Sequence, residues 1–453
     1  MKKIEKRAIM CLLLACLLLV GVGIFCYRFV TQGDDWASYS GNFDVYEDGK
    51  LTKGALYDTN GKLLMKNSSS GMTFNDDVSI RRALMHITGD KNNNIATGAN
   101  RAFTDELIGY DLINGVYSLN NKGEDIKLTL DADVCAAAIN ALGSRSGTVG
   151  VYNYKTGEIV CMVSSPTYDP ANPPQISSDD TSGVYINRFT SSRFVPGSIF
   201  KLVTAAAAIE NLDDAYTWTY NCTGSDDYGH GDKVTDISAH GTVDLKKALE
   251  VSCNCYFGRL SEKVGGDLMQ EYTKKLGLTK SYDIDGIKTA ESTFDYPDSG
   301  VNLAWTGIGQ YHDMLNPCSM MVYMGAIGNG GTAVMPRIVE PTSFWSELLG
   351  KVPKVGVKTR DMIETDTASS LTEMMANNVE QHYGSGNFPG LDICAKSGTA
   401  EVGTGKQPNA WFSGFLNDSD NPYAFVVLVE NGGYGADVAG AVANTVLQKI
   451  VSK

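Results

Sequence analysis

Basic side chains are in short supply: 38 lysines and arginines stand against 52 aspartates and glutamates, a net charge of −14. That balance leaves no cationic surface over the body of the chain and disfavours nucleic acid as a partner. Histidine is scarcer still, with five in 453 residues (His86, His230, His240, His312, His382) and none in a His-Glu-x-x-His pair. No Gly-x-Ser-x-Gly elbow and no glycine-rich phosphate loop ending in Gly-Lys-Ser/Thr occurs, so metal and nucleotide mechanisms lose support and no cofactor is expected. None of the ten cysteines belongs to a Cys-x-x-Cys pair. Their spacing predicts neither a zinc site nor a small disulfide framework, so Cys135, Cys161, Cys222, Cys253, Cys255, Cys318 and Cys394 read as buried free thiols. His240, followed by Gly241, reads as a hydrogen-bonded structural histidine. Internal repeats and low-complexity tracts are also missing. The remainder, 43% hydrophobic and 20% charged, is an ordinary globular composition with room for two folded domains.

What is present begins at the N-terminus. Lys2, Lys3, Lys6 and Arg7 precede an uncharged stretch from Ala8 to Tyr27. As a helix this stretch is about 30 Å long, enough to cross a bilayer core. The charge asymmetry predicts a single-pass plasma-membrane anchor with a cytoplasmic N-terminus and the rest of the chain outside. A cleaved signal peptide has a shorter apolar core, and a lipoprotein site at Cys16 would lie inside the apolar run.

Residues 1–30 therefore form a tip and anchor. Residues 31–125 are polar and turn-rich, with short strand-like pieces and turns such as Asn60-Gly61, and read as a small strand-rich pedestal. Residues 126–453 read as the main domain. It opens with a strand at Ile126 to Asp131 and a helix from Ala132 to Leu142 stopped by Gly143. A hairpin follows, Thr148 to Asn153 and Glu158 to Ser164. Three strands near the C-terminus, Ile393 to Glu401, Asn409 to Phe415 and Tyr423 to Glu430, precede a last helix from Asp437 to Val451 carrying Val438, Val442, Val446 and Ile450 on one stripe. Strands at both ends around a helical middle imply an α+β fold, an antiparallel sheet flanked by helices.

In that middle lies Pro196-Gly197-Ser198-Ile199-Phe200-Lys201. From Ile199 to Ile209 everything except Lys201 and Thr204 is apolar, so this helix has no polar face and is expected to be buried all round. An enclosed lysine is costly unless it is paired or shifts towards the neutral amine, and a neutral amine one turn from a hydroxyl is a general base beside a nucleophile. On this reading Ser198 attacks and Lys201 is the neutral base. Two further elements complete an acyl-transfer site. In Ser252-Cys253-Asn254 the serine relays a proton to a leaving amine and the Asn254 amide holds a substrate carbonyl. In Lys396-Ser397-Gly398-Thr399 the lysine supplies positive charge for a substrate carboxylate, and Gly398 lets a peptide approach the strand edge. Taken singly, Ser252 and Asn254 read as a helix cap, and an exposed turn is the alternative to the strand for Lys396-Ser397-Gly398-Thr399.

Together the three elements match the Ser-x-x-Lys, Ser-x-Asn, Lys-Thr/Ser-Gly set of penicillin-binding proteins and serine β-lactamases, in order and approximate spacing. Asn187-Arg188, His240-Gly241, Gly307-Ile308-Gly309-Gln310, Gly328-Asn329-Gly330-Gly331, Lys396 through Glu401 and Ala410 through Phe415 extend the resemblance to class B penicillin-binding proteins over nearly the whole chain beyond the anchor. Lys53-Gly54-Ala55-Leu56-Tyr57-Asp58-Thr59-Asn60-Gly61 is similar to an N-terminal box of that class, with Lys53 and Thr59 in place of its arginines. The resemblance implies a bitopic D,D-transpeptidase that cross-links peptidoglycan stem peptides through a Ser198 acyl-enzyme and is acylated by β-lactams. The backbone N–H groups of Ser198 and Thr399 would form the oxyanion hole, with Ser397 and Gly398 beside the substrate. It also implies a multi-pass glycan polymerase and division or elongation proteins as partners. A D,D-carboxypeptidase, a membrane-anchored β-lactamase and a non-catalytic scaffold or β-lactam sensor are the competing readings. Sensors of this superfamily carry several spans and a zinc-protease segment, neither of which the sequence contains.

Overall fold

Lysines at the tip and the uncharged run behind them form one helix, α1 (Lys2–Ala37), within which Lys6–Thr31 is long and apolar enough to cross a membrane. The computed structural model describes residues 2–37, 54–68, 71–108, 110–111, 116–117, 124–340 and 358–452. Lys53, the first residue of the N-terminal box, lies outside them, as do residues 38–52 of the expected pedestal.

By its internal contacts the chain falls into two units: Met1–Ala55 with Lys66–Thr73 and Phe103–Ile126, and Leu56–Met65 with Phe74–Ala102 and Lys127–Lys453. In the first, the Gly54 N–H donates to Leu107 O (2.7 Å) and the Ala55 N–H to Asp125 Oδ1 (2.8 Å).

The second unit includes a helix the sequence reading does not anticipate, α2 (Val78–Thr88), capped by the Asp77 carboxylate and stopped at Gly89 (φ 78°). Its buried Ile80, Ala83, Leu84 and Ile87 have helical spacing. Arg81, Arg82 and His86 interrupt them, so no dense apolar run marks the helix. Arg81 clamps Asp169 through Nε and Nη2, both at 2.7 Å. Helix α3 (Ala132–Leu142) occupies the expected residues, with the Asp131 carboxylate capping Asp133 and Val134 N–H. The N-terminal box docks at this cap: Asp58 accepts from the Ala132 N–H and Asn60 donates to Asp131.

The core is a five-stranded antiparallel sheet of β1 (Gly147–Asn153), β2 (Ile159–Ser165), β3 (Ile393–Ala400), β4 (Asn409–Leu416) and β5 (Tyr423–Val429), in the order β3-β4-β5-β1-β2. Chain ends far apart in sequence meet where β5 pairs with β1, Val426 opposite Gly150. Every residue of β4 is buried because helices cover both faces. Helix α3 and the last helix, Gly440–Val451, lie on one side, and the apolar helix Pro317–Gly328 packs on β1, β4 and β5. Trp411, Phe412, Phe415 and Phe425 are wholly enclosed, each stabilising the sheet by about 1.5–3 kcal/mol relative to exposure.

The final helix departs from expectation at its start. Residues Gly435–Ala439 form a π turn before Gly440–Val451. The wider turn shifts the phase, so Val442, Val446 and Ile450 are buried while Val438 is only half-buried.

Candidate active site

Pro196-Gly197 does not begin a regular α-helix. Gly197–Phe200 is a 3₁₀ turn that runs directly into α4 (Lys201–Asn211). The turn is held from two directions, by the Gly197 N–H on Gly309 O (2.8 Å) and by Trp411 Nε1 of β4 on Val195 O (2.9 Å). Gly197 has φ of 57°, which a side chain would strain. Helix α4 is buried from Lys201 to Ala208, and Ile199 and Phe200 before it are buried as well.

Ser198, Ser252, Asn254, Ser397 and Thr399 all line one cavity of about 1150 Å³, with the two lysine chains packed behind it. Lys201 and Lys396 are fully buried. The Ser252 hydroxyl sits between them, 3.1 Å from each Nζ. Lys201 also donates to Ser252 O (2.5 Å) and to Asn254 Oδ1 (2.7 Å), while Lys396 donates to Ser397 O (2.9 Å). Because lysine only donates, the Lys201–Asn254 contact fixes which end of the Asn254 amide is oxygen. Its Nδ2 donates to Thr235 O (2.8 Å), leaving one hydrogen for a ligand. In this resting arrangement Lys201 bonds to Ser252 and Asn254 and makes no hydrogen bond with the Ser198 hydroxyl.

Ser252 is a non-glycine residue at φ 56°, a conformation that persists only when its surroundings impose it. The helix that follows, α5 (Asn254–Val264), is capped by neither Ser252 nor Asn254. Cys253 is the cap, its Sγ accepting from the Tyr256 N–H.

The sequence reading makes Lys201 neutral at the moment of attack, with the positive charge on Lys396; in the unliganded site burial acts on both amines. Burial lowers Lys201 to about 8, with the nearby Asp236 carboxylate pulling it back up. Lys396 is pushed well below its ordinary value, by burial first and then by the Lys201 charge, and no carboxylate counters the shift. Burial thus disfavours the ammonium form at both lysines, and at Lys201 the Asp236 carboxylate opposes it.

Gly398 is also needed for packing. A Cβ there would meet Pro196 O at 2.9 Å and Ile199 Cγ2 at 3.1 Å, so the missing side chain lets β3 press on the turn that carries Ser198. Strand β3 is the sheet edge, and side chains occupy much of it. Asn378 donates to Ala395 O, the Tyr383 hydroxyl accepts from the Ser397 N–H (2.9 Å), and Lys396 covers Ser397 O. Alternate residues of a strand face the same edge, so the N–H of Thr399, next in that series, points towards the cavity. Tyr383 ends a π turn, Val379–Tyr383. Nothing in the sequence marks it, because its role depends on a strand that is distant until folding.

Folding also gathers residues that can hold a metal ion. Cys222, Asp236, His240 and Cys253 place one ligand atom each within 4.8 Å of one another. The sequence reading excludes a zinc site because no Cys-x-x-Cys pair exists; here the sulfurs come from positions thirty-one apart, and the other two ligands from the loop between them. The seven cysteines beyond α1 are buried and free.

Residues 147–448 match the family described as the penicillin binding protein transpeptidase domain. The peptidoglycan D,D-transpeptidase PbpA of Mycobacterium tuberculosis (strain CDC 1551 / Oshkosh) is 29% identical over 354 residues, 72% of this chain and 71% of the relative. Penicillin-binding protein 3 of Bacillus subtilis (strain 168) is 27% identical over 329 residues, 68% and 48% of the respective chains. Among solved structures, the ceftriaxone acyl-enzyme complex of penicillin-binding protein A from M. tuberculosis superposes with a TM-score of 0.76 at 24% identity, covering 89% of this chain and 99% of that one. The penicillin-binding protein PBP2 of Helicobacter pylori, solved in complex with MreC, gives 0.73 at 17% identity, over 88% and 98%. A motif set, a two-lysine pocket and a sheet flanked by helices thus agree with a match spanning two thirds of the sequence, and the chain belongs to the penicillin-binding protein transpeptidase domain family.

Proposed function

We propose that this chain is a peptidoglycan D,D-transpeptidase working through an acyl ester on Ser198. The observation that carries the reading is the Ser252 hydroxyl shared between two buried amines at 3.1 Å each, on the wall of the cavity that Ser198 lines. Such a bridge can move a proton between the lysines and out to a leaving group.

The sequence of steps follows from the charges. A stem peptide brings a C-terminal carboxylate to the Ser397–Thr399 edge. Its negative charge raises Lys396 towards the ammonium form. The new cation lowers Lys201 further, because the two titrations are coupled. Lys201 then gives up its proton, releases Asn254 Oδ1 and takes the Ser198 proton; hydrogen bonds of this kind are commonly loose before substrate binds. The oxyanion is met by the backbone N–H groups of Ser198, at the head of α4, and of Thr399 on the β3 edge. Ser252 passes a proton to the departing D-alanine amine, and an amine from a second stem resolves the ester. The spare Nδ2 hydrogen of Asn254 is available to a substrate carbonyl. β-Lactams would enter at the same serine.

On this reading residues 126–453 form the transpeptidase domain and residues 31–125 its pedestal. The basic tip keeps the N-terminus in the cytoplasm and the pocket outside. A separate glycan polymerase, with division or elongation proteins, would supply the strands to be joined, and the complex of the H. pylori relative with MreC supports a partner of the elongation kind.

A fluorescent penicillin followed over hours tests the chemistry. The wild type should keep the label and Ser198→Ala should never acquire it. An unlabelled wild type would overturn the proposal, and rapid loss of label would move the reading to a hydrolase.

A further inference from the structure

The face of β3 that carries Ser397 and Thr399 continues past the strand. Side chains two apart share a face, and Ser397, Thr399 and Glu401, which follows the last strand residue Ala400, all line the cavity. At about 3.4 Å per residue, Glu401 lies roughly 7 Å beyond Thr399. A second carboxylate is brought to the same end by the π turn Gly435–Ala439. Just before this turn the Asn431 N–H donates to Asn409 Oδ1 and the Gly433 N–H to Pro408 O, both at 3.0 Å, and Asn409 is the partner of Ala400. The Gly435 N–H then donates to Thr399 Oγ1 (3.3 Å), and a Cβ at Gly435 would run into Gly398 O, so the turn lies directly on β3. Asp437, two residues further on, also lines the cavity.

Glu401 and Asp437 are exposed, and neither has a hydrogen bond or ion pair among the described residues. The third carboxylate of the wall, Asp236, is already held by the N–H groups of Asn254 (2.6 Å) and Cys255 (3.0 Å). Among the described residues no lysine or arginine lines the cavity, because Lys201 and Lys396 are buried behind it. Single free carboxylates are ordinary on a surface. Two of them at one end of a reaction cavity, with no cation on its wall, repel an anionic group there and favour a cationic one.

The chemistry decides which part of a substrate reaches that end, and here the inference rests on the transpeptidase reading. The acyl carbonyl sits at the N–H groups of Ser198 and Thr399, and the leaving D-alanine carries the terminal carboxylate towards Ser397 and Lys396. The residues before the scissile bond therefore extend the other way, from Thr399 towards Glu401, antiparallel to β3. The first of them beyond the penultimate D-alanine is the diamino residue through whose side-chain amine stems are joined.

We infer that Glu401 and Asp437 select the donor stem by this diamino residue, accepting a side chain that ends in an ammonium and rejecting one that also carries a free carboxylate. Lysine has the first chemistry, as does diaminopimelate with its distal carboxyl amidated. Free diaminopimelate has the second.

The test uses the full chain in detergent and reads how far soluble stem peptides slow its labelling by a fluorescent penicillin, so binding is scored without turnover. The probes are L-Ala-γ-D-Glu-X-D-Ala-D-Ala, with X as lysine, Nε-acetyl-lysine, amidated diaminopimelate or free diaminopimelate. The lysine and amidated diaminopimelate peptides should protect at concentrations about tenfold lower than the other two, since each of two solvent-exposed ion pairs contributes up to about fivefold. High salt should shrink that advantage. Glu401→Gln and Asp437→Asn should each reduce it about two- to fivefold. Glu271→Gln, which removes the same charge from the helix Gly266–Lys275 outside the cavity, should leave it unchanged. Glu401→Lys should bring free diaminopimelate level with lysine or ahead of it. Whichever of the two favoured peptides protects more, the inference stands and the source of the ammonium is identified. Equal protection by all four peptides, protection by none, or a preference that survives Glu401→Gln and Asp437→Asn combined overturns it. A wild type that takes no label at all fails the acyl-enzyme reading instead, a result told apart because no peptide enters that measurement.

Discussion

Replacing Asn254 by alanine isolates one contact that sets the charge on Lys201. The helix start should survive, because Cys253 caps it and the Asn254 N–H bonds to Asp236 through the backbone; alanine is also a better helix former than asparagine. What disappears is the 2.7 Å bond from Lys201 Nζ to Asn254 Oδ1, together with the Nδ2 bond to Thr235 O, which does not involve the lysine. A hydrogen bond to a charged group contributes roughly 1.5–3 kcal/mol, and about 1.4 kcal/mol corresponds to one pKa unit. The bond favours the ammonium form, so its loss should lower the Lys201 pKa, from about 8 in the wild type, by about 1–2 units. The assay is the second-order rate of penicillin acylation across pH. Acylation requires the unprotonated amine, so the rate rises with pH through the Lys201 titration, and in Asn254→Ala that rising limb should move to lower pH by this amount. The plateau should fall as well if the amide also touches the ligand, but a change in height leaves the midpoint where it is. A limb that stays put while the plateau drops would refute the assignment of Lys201 as the titrating base held by Asn254.

Three other perturbations test separate parts of the structure. Gly398→Ala places a Cβ 2.9 Å from Pro196 O, an overpacking expected to cost about 1–3 kcal/mol; a lowered melting temperature with slowed acylation is expected, and wild-type values for both would mean that β3 does not bear on the Ser198 turn. Tyr383→Phe keeps the ring against Phe412 but removes the acceptor of the Ser397 N–H, at about 1–3 kcal/mol for the unpaired donor, so denaturant titration should show the loss while Phe388→Tyr, a neighbour on Phe412, should not reproduce it. Asp169 is held at about 2 by the Arg81 guanidinium. Its folded value lies below the unfolded one of about 3.9, so its stabilisation is present above that pH and fades as pH falls towards 2. Melting curves in this acid window should be flatter for Asp169→Asn than for wild type, and parallel curves would remove the ion pair from the account.

Much of this was readable along the chain. An unbroken apolar helix with one enclosed lysine, and strands bounded by turn residues, are local patterns that burial enforces, and α3 and the strands at both ends of the sheet lie within a residue or two of where the pattern puts them. Helix α2 escaped because arginines and a histidine break its stripe. The final helix starts late because a π turn cannot be told from an α turn by composition.

Local chemistry determined which residues belong together as an acyl-transfer set, since each motif carries its nucleophile, base or cation within a few positions, and it determined the anchor, since a bilayer sets a length and a charge rule. It could not determine how the surroundings act on the two lysines. That depends on the burial of both and on Asp236 lying near Lys201. Nor could it join Cys222, Asp236, His240 and Cys253, or bring Tyr383 to the edge of β3, because fields and ligand shells act through space and only the folded chain sets those distances.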